Sequence, residues 1–211
     1  MVKNVIFDIG KVMLTYDWRR FLTEDYADPA VVDILMDAFF GHGLWDELDR
    51  GALSADEMTK AFAEYAPGME EQIRPFILNF AKKFRQFPHA KPLVRALKAA
   101  GYHVYYLSNY SYFALEANPE VLDFTELMDG GIYSCDVKLI KPAAAIYEAL
   151  CSKYGLVPAE CMFIDDKQAN VSGAIRAGME QSFVFRSYED AGREFLSRIG
   201  FQVPEVSSDL L

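Results

Sequence analysis

Cysteine is scarce in this chain and basic clusters are missing from it. Cys135, Cys151 and Cys161 leave an odd count, without the short pair spacings of a zinc site. That argues against a disulfide framework and for reduced thiols, the state kept in the cytoplasm. Lysine and arginine number 21 against 31 acids, a formal net charge of −10, and no basic run occurs. Nucleic acid and anionic membranes are poor partners for such a surface. No apolar run approaches the length of a membrane helix, and Met1 leads into a strand-like run rather than a secretory leader. A cytoplasmic protein is expected. Internal repeats and low-complexity stretches are also absent.

Apolar residues, by contrast, are plentiful: 52% of 211, enough for a sizeable core. The length fits one domain with an insertion better than two full domains. Three apolar runs stand out because each ends in chemistry. Val5-Ile6-Phe7 ends in Asp8, Val104 to Leu107 ends in Ser108-Asn109, and Met162-Phe163-Ile164 ends in Asp165-Asp166. Such runs read as buried parallel strands, and ligands of open α/β sheets lie at the carboxyl ends of strands. The three ends are expected to meet along one sheet edge.

The rest of the pattern supports that sheet. Between the first two runs, residues 29–86 show helical spacing and no strand pattern. Ser54 and Glu57 form a capping-box pair, Pro67-Gly68 breaks that helix, and a further helix is expected over 70–87. Beyond residue 88, helical segments at 92–100 and 143–154 alternate with strands, as do later ones at 171–177 and 191–198. The expected fold is therefore α/β: a Rossmann-like three-layer core with a central parallel sheet, plus a small α-helical cap domain. Residues 1–16 and 88–211 would form the core and 17–87 the cap insertion.

Chemically, Asp8 and Asp166 together offer a hard, oxygen-only site of the kind that holds Mg²⁺ beside a substrate phosphate. A carboxylate such as Asp8 can also attack phosphorus and form an aspartyl phosphate. Ser108-Asn109 opens the turn after its strand, where hydroxyl, amide and free N–H groups make an anion-binding corner; an ordinary helix cap is the alternative. Lys141-Pro142 reads either as a solvated Lys before a helix start or as a cation anchoring the nucleophile and a phosphoryl group.

Taken in order, Phe7-Asp8-Ile9-Gly10-Lys11-Val12, Leu107-Ser108-Asn109, Lys141-Pro142 and Phe163 to Asn170, closing with Ala177-Gly178-Met179, resemble the four motifs of the haloacid dehalogenase superfamily. The likeness spans about residues 4–186, with the helical insertion where that superfamily places its small cap. Within it, the chain is similar to sugar-phosphate phosphatases, the α-D-glucose-1-phosphate phosphatases among them. The resemblance implies Asp8 as nucleophile and metal ligand, the Gly10 carbonyl and Asp166 as further ligands of Mg²⁺, and Lys141 as the charge-neutralising catalytic cation. Ser108 and Asn109 would hold phosphoryl oxygens, while Asp165 and Asn170 would orient metal waters or Lys141.

One departure stands beside these matches. Most phosphatases of the superfamily carry a second Asp, two residues after the nucleophile, as general acid and base; here that position is Gly10. The glucose-1-phosphate branch shares the glycine. A replacement acid is expected from the cap stretch 41–51, where His42, Asp46 or Asp49 would face the substrate and Trp45 would stack on a sugar ring. The alternative is that Trp45 packs into the cap core and the acids are solvated. The expected activity is an Mg²⁺-dependent phosphatase acting on a small phosphorylated metabolite such as a sugar phosphate. A haloacid dehalogenase, a phosphomutase or a non-catalytic binding protein are the competing expectations. Oligomeric state is not legible in the sequence.

Overall fold

The computed structural model describes residues 1–206. The first apolar run forms β1 (Asn4–Phe7), buried at every position. A two-residue strand β2 (Leu14–Thr15) follows, then helices α1 (Trp18–Asp25), α2 (Pro29–Phe40), α3 (Leu44–Arg50), α4 (Ala55–Ala63) and α5 (Glu70–Asn79). The chain returns through β3 (Arg85–Gln86), which pairs antiparallel with β2. After it come α6 (Ala90–Ala99), β4 (His103–Ser108), α7 (Tyr112–Ala117), β5 (Gly130–Tyr133) and α8 (Ser134–Val137). α9 (Ala144–Tyr154), β6 (Cys161–Asp165), α10 (Gln168–Arg176), β7 (Phe183–Val184) and α11 (Tyr188–Ile199) complete it.

Five strands form one sheet in the order β5-β4-β1-β6-β7, every pair parallel. Side chains alternate across β1 as the strand period demands. Val5 and Phe7 join a core cluster with Leu93 and Leu97 of α6 and Phe195 of α11, whereas Ile6 joins one with Ile146 and Leu150 of α9 and Ala174 of α10. Helices thus cover both faces, giving the three-layer α/β architecture expected. Register then aligns the chemistry. Phe7 pairs with Tyr106 on one side and Ile164 on the other, so Asp8, Ser108 and Asp165 leave adjacent strands at nearly the same level.

The inserted helices bury an aromatic cluster of their own. Phe39 stacks on Phe76 with ring centroids 4.9 Å apart and meets Phe62 edge-on at the same separation. The capping box at α4 is fully formed: the Glu57 N–H donates to Ser54 Oγ and the Ser54 N–H donates to Glu57 Oε2.

Several local expectations need correction. The helix expected over 70–87 ends at Asn79, gives way to a 3₁₀ turn, Phe80–Lys83, and then to β3. Pro75 lies inside α5, and Asn79 Nδ2 caps the Pro75 carbonyl at 2.7 Å, closing the helix early. A strand in this region has no local signal, because its partner β2 lies some seventy residues earlier. Helix also begins earlier than the expected 29–86: Trp18 starts α1, capped by Asp17, whose carboxylate accepts from the Arg20 N–H. Between β4 and β5 the chain forms α7 and then a 3₁₀ stretch that begins at Pro119.

Because Phe39 is fully buried among rings, Phe39→Ala should destabilise the protein by about 3–5 kcal/mol. A lower urea midpoint at unchanged m-value would show it, and an unshifted midpoint would contradict the packing described.

Candidate active site

Asp8 leaves β1 almost fully buried, and its backbone still belongs to the sheet, its N–H donating to the Ile164 carbonyl at 2.8 Å. One carboxylate oxygen, Oδ1, takes the Ile9 N–H at 2.7 Å and the Lys141 ammonium at 2.8 Å. The same ammonium reaches Asp165 Oδ2 at 2.7 Å and the Leu107 carbonyl at 2.9 Å. All three donors of Lys141 therefore have acceptors, two of them carboxylates. Lys141 itself stands in the loop after α8. Asn109 holds that loop from the end of β4: its Oδ1 accepts the Lys141 N–H at 2.9 Å and its Nδ2 donates to the Lys141 carbonyl at 3.2 Å.

The acid pair at the end of β6 divides into two environments. Asp165 is completely buried and accepts from Lys141, from the Lys167 N–H and from Asn170 Nδ2, which reaches both of its oxygens. Asp166 is half-buried and has no hydrogen-bond or ion-pair partner among the described residues. Carboxylate oxygens of Asp8, Asp165 and Asp166 lie within 4.8 Å of one another. Three carboxylates face one ammonium here, and only oxygen is offered. That donor set fits a hard divalent cation such as Mg²⁺, with Asp166 and the second oxygen of Asp8 the groups left to bind it.

Above this floor lies a cavity of about 390 Å³. Asp8, Gly10, Ser108, Asn109, Lys141, Lys167 and Asn170 line its base. The inserted helices supply the roof through Trp18, Phe40, Trp45, Asp46 and Asp49. Trp45 belongs to both readings given for it: it faces the cavity and also packs on Trp18 and Phe40, ring centroids 4.7 Å away in each case. His42 stands outside. It stacks on Tyr65 at 3.7 Å and meets Asp37 at 3.1 Å, with no part in the cavity lining. Of the acids expected over the site, the structure brings Asp46 and Asp49 to it.

The chain matches the haloacid dehalogenase-like hydrolases over residues 2–178. It belongs to that family. Among curated relatives, a D-ribitol-5-phosphate phosphatase of Bacteroides thetaiotaomicron is 28% identical, covering 85% of this chain and 90% of that protein. An (S)-2-haloacid dehalogenase of Burkholderia cepacia is 25% identical, covering 86% and 70%. Solved structures carry the same fold. A family enzyme from Bacteroides thetaiotaomicron in complex with magnesium superposes with a TM-score of 0.72 at 20% identity, over 92% of this chain and 98% of that one. The L-2-haloacid dehalogenase of Xanthobacter autotrophicus gives 0.64 at 20% identity, over 97% and 85%. Both chemistries are found among relatives of similar reach, so membership of the family does not choose between them.

Electrostatics sharpen what this haloacid dehalogenase-like site can do. Burial raises the Asp8 carboxyl, the Lys141 ammonium opposes that shift, and Asp165 adds to it. For Lys141 burial alone would favour the neutral amine, but Asp165 and Asp8 outweigh it and its pKa is raised, so the ammonium persists. Asp166 is raised by burial and by Asp165. In the roof, burial pushes the Asp49 carboxyl up to about 8, with Asp46 and Asp8 adding to the shift and Lys167 and Lys141 opposing it.

Several lining residues escaped the sequence reading. Tyr16 has no signal of its own in the sequence, and Lys167 stands there only within the motif Phe163 to Asn170. Tyr110, whose buried hydroxyl has no hydrogen-bond partner among the described residues, carried no signal at all. Gly10 was the available clue to Tyr16, since a residue without a side chain leaves room for another.

Removing Lys141 would leave two buried carboxylates without their counter-ion. Lys141→Ala should cost about 3–5 kcal/mol, read as a loss of unfolding free energy in urea; a variant as stable as the parent would mean that the pair is not the structural centre described.

Proposed function

We propose that this hydrolase is an Mg²⁺-dependent phosphatase acting on a small phosphorylated metabolite of the sugar or sugar-alcohol class. The observation that carries the reading is the Asp8–Lys141–Asp165 arrangement beside Asp166 at the base of a closed-over cavity. Asp8 attacks phosphorus, the P–O bond to the leaving alcohol breaks, and water then hydrolyses the aspartyl phosphate. Asp8, Asp166 and the Gly10 carbonyl would hold Mg²⁺, which would supply charge neutralisation between the nucleophile and the phosphate dianion. Ser108, buried at the end of β4, and the N–H groups of its turn receive phosphoryl oxygens. Lys141 remains an ammonium beside Asp8 and stabilises charge on the transferring group. Asp165 and Asn170 keep that ammonium in place.

Two features favour phosphorus over a carbon–halogen bond. A haloacid brings a carboxylate of its own, and the residues of the inserted helices that line the roof contribute Asp46 and Asp49 but no cation. Asp166, unpartnered beside Asp8 and Asp165, adds negative charge that a divalent metal offsets and a metal-free haloacid site does not. The roof also argues for a neutral leaving group: aromatic faces at Trp18 and Trp45 suit the C–H face of a sugar, and the Tyr110 hydroxyl can bond one of its oxygens. The similarity to a ribitol-phosphate phosphatase supports the same class.

Phosphate release from a panel including ribitol 5-phosphate and glucose 1-phosphate, with Mg²⁺ or with EDTA, tests the reading. Turnover should require the metal and vanish in Asp8→Asn. Chloride release from 2-chloropropionate without metal, and no phosphate from any ester, would transfer the protein to the dehalogenases.

A further inference from the structure

Cleavage of a sugar phosphate has a requirement that the cavity floor does not meet. The departing alkoxide needs a proton, and the later attack by water needs a base. Lys141 is held between two carboxylates, Asp165 is saturated with donors, and Gly10 has no side chain. Nor is Gly10 an empty place. A β-carbon there would overlap the Tyr16 ring and lie 2.7 Å from its hydroxyl oxygen. Tyr16 is itself wedged between Trp18, at 4.8 Å, and Phe84, at 5.3 Å, so it cannot swing aside freely. Its phenol is held neutral, raised by burial first and then by Asp8, Asp166 and Asp49.

Asp49 faces the same cavity from α3, and its anchorage differs from that of an ordinary lid residue. The Asp49 carbonyl accepts from Ser134 Oγ at 2.6 Å, and that hydroxyl oxygen in turn receives the Tyr110 N–H at 2.9 Å. Next to it, Arg50 Nη1 donates to the Lys138 carbonyl at 3.2 Å and Lys138 Nζ donates to the Gly51 carbonyl. Gly51 ends α3 with φ +64°, its Cα packed so closely on Cys135 and Tyr112 that a β-carbon would come within 2.9 Å of each. Four contacts thus fasten the end of α3 to the α/β core just where Asp49 lines the cavity that Asp8 also lines. Facing Asp49 are Lys167, Asp8 and Lys141 from the floor, Asp46 from its own helix, Tyr16 and Tyr110 from the walls, and Cys135 beneath.

We infer that Asp49 is the general acid and base of the reaction, and that Tyr16 fills the space beside Gly10 where a carboxylate on the nucleophile loop would otherwise stand. The inference rests on the phosphatase reading above. In the first half-reaction Asp8 forms its bond to phosphorus as the ester P–O bond breaks. The electron pair of that bond goes to the leaving oxygen, which takes the Asp49 proton. In the second half, Asp49 as carboxylate takes a proton from water while the water oxygen bonds to phosphorus and the P–O bond to Asp8 breaks. Alcohol and inorganic phosphate leave, and both aspartates are restored. Burial, Asp46 and Asp8 raise the Asp49 pKa, which favours the protonated form that the first of these steps uses.

Two esters of similar shape separate this role from a structural one. p-Nitrophenyl phosphate has a leaving group that departs without a proton; 4-nitrobenzyl phosphate has one that needs it. With the Mg²⁺-loaded protein, Asp49→Asn should slow the first turnover of the benzyl ester by about 10²–10⁴-fold. The same variant should still release close to one equivalent of p-nitrophenolate in a rapid burst, followed by slowed turnover because the base is also missing. In the parent, benzyl-ester cleavage should decline as pH rises through about 8, the carboxyl then losing its proton, and Asp49→Asn should abolish that limb. Equal loss on both esters, or loss on neither, would overturn the assignment. Activity that survives Asp8→Asn would instead sink the phosphatase reading. For Tyr16, benzyl-ester cleavage in the Asp49→Asn background should return with Gly10→Asp plus Tyr16→Ala and not with Gly10→Asp alone. Rescue by Gly10→Asp with Tyr16 in place would show that the ring is no obstacle; failure of the folded double replacement would show that the space is not an acid's place.

Discussion

A single ammonium holds this site together. Lys141 Nζ is shared by Asp8 at 2.8 Å and Asp165 at 2.7 Å, and all three groups are buried. Neither carboxylate could remain ionised there alone, since transfer of an isolated charge into an apolar interior is far too costly. The interaction therefore fixes more than a contact. It ties the loop after α8 to the ends of β1 and β6, which are neighbours in the sheet, and it obliges Asn109 at the end of β4 to hold the same loop by its backbone. Three adjacent strands are thereby locked in register at their carboxyl ends, and the cavity floor is a consequence.

The strand ends could be read from the sequence because each is a contiguous apolar run closed by a polar residue, a pattern that local chemistry imposes. Burial on both faces of β1 leaves Val5, Ile6 and Phe7 no polar alternative, so Asp8 stands out. Asn170 and Asp165 were accessible too, as neighbours in one short motif. What the sequence withheld depends on distant partners. β3 exists because Arg85 and Gln86 pair with Leu14 and Thr15, and nothing in either dipeptide announces it. His42, Asp46 and Asp49 were equivalent by spacing on the page. Only the folded insertion sends His42 to Tyr65 and Asp37 while turning Asp46 and Asp49 toward the cavity. Tyr16 is the plainest case: its role depends on the absence of a side chain at Gly10, six residues away and around a turn.

The division of labour between floor and roof also explains why the insertion is so aromatic. On the reading proposed above, Lys141 and the acids of the floor would serve the phosphoryl group, and they are held by hydrogen bonds within the protein itself. The roof would then cover the leaving group, which rings can do with few rotatable bonds to immobilise. Trp18 touches Tyr16, Phe40, Trp45, Phe80 and Phe84, joining the cavity wall to the packing of the insertion itself. Substrate selection and stability of the insertion are then properties of the same residues.

Charge completes the argument about what can enter. Asp8, Asp165 and Asp166 set three carboxylates around the Lys141 ammonium, Lys167 also lines the floor, and the roof adds Asp46 and Asp49. A phosphate dianion approaching such a cavity alone would be repelled, whereas one arriving where a divalent cation already offsets two of the charges would not. Lys167, the remaining cation of the lining, lies near both Asp49 and Asp166, where it lowers both carboxyl pKa values against the pull of burial. It is therefore engaged with the protein's own acids, and a second anionic group on the substrate would have no counter-charge of its own. On the phosphatase reading proposed above, monoesters of neutral alcohols are then the expected substrates.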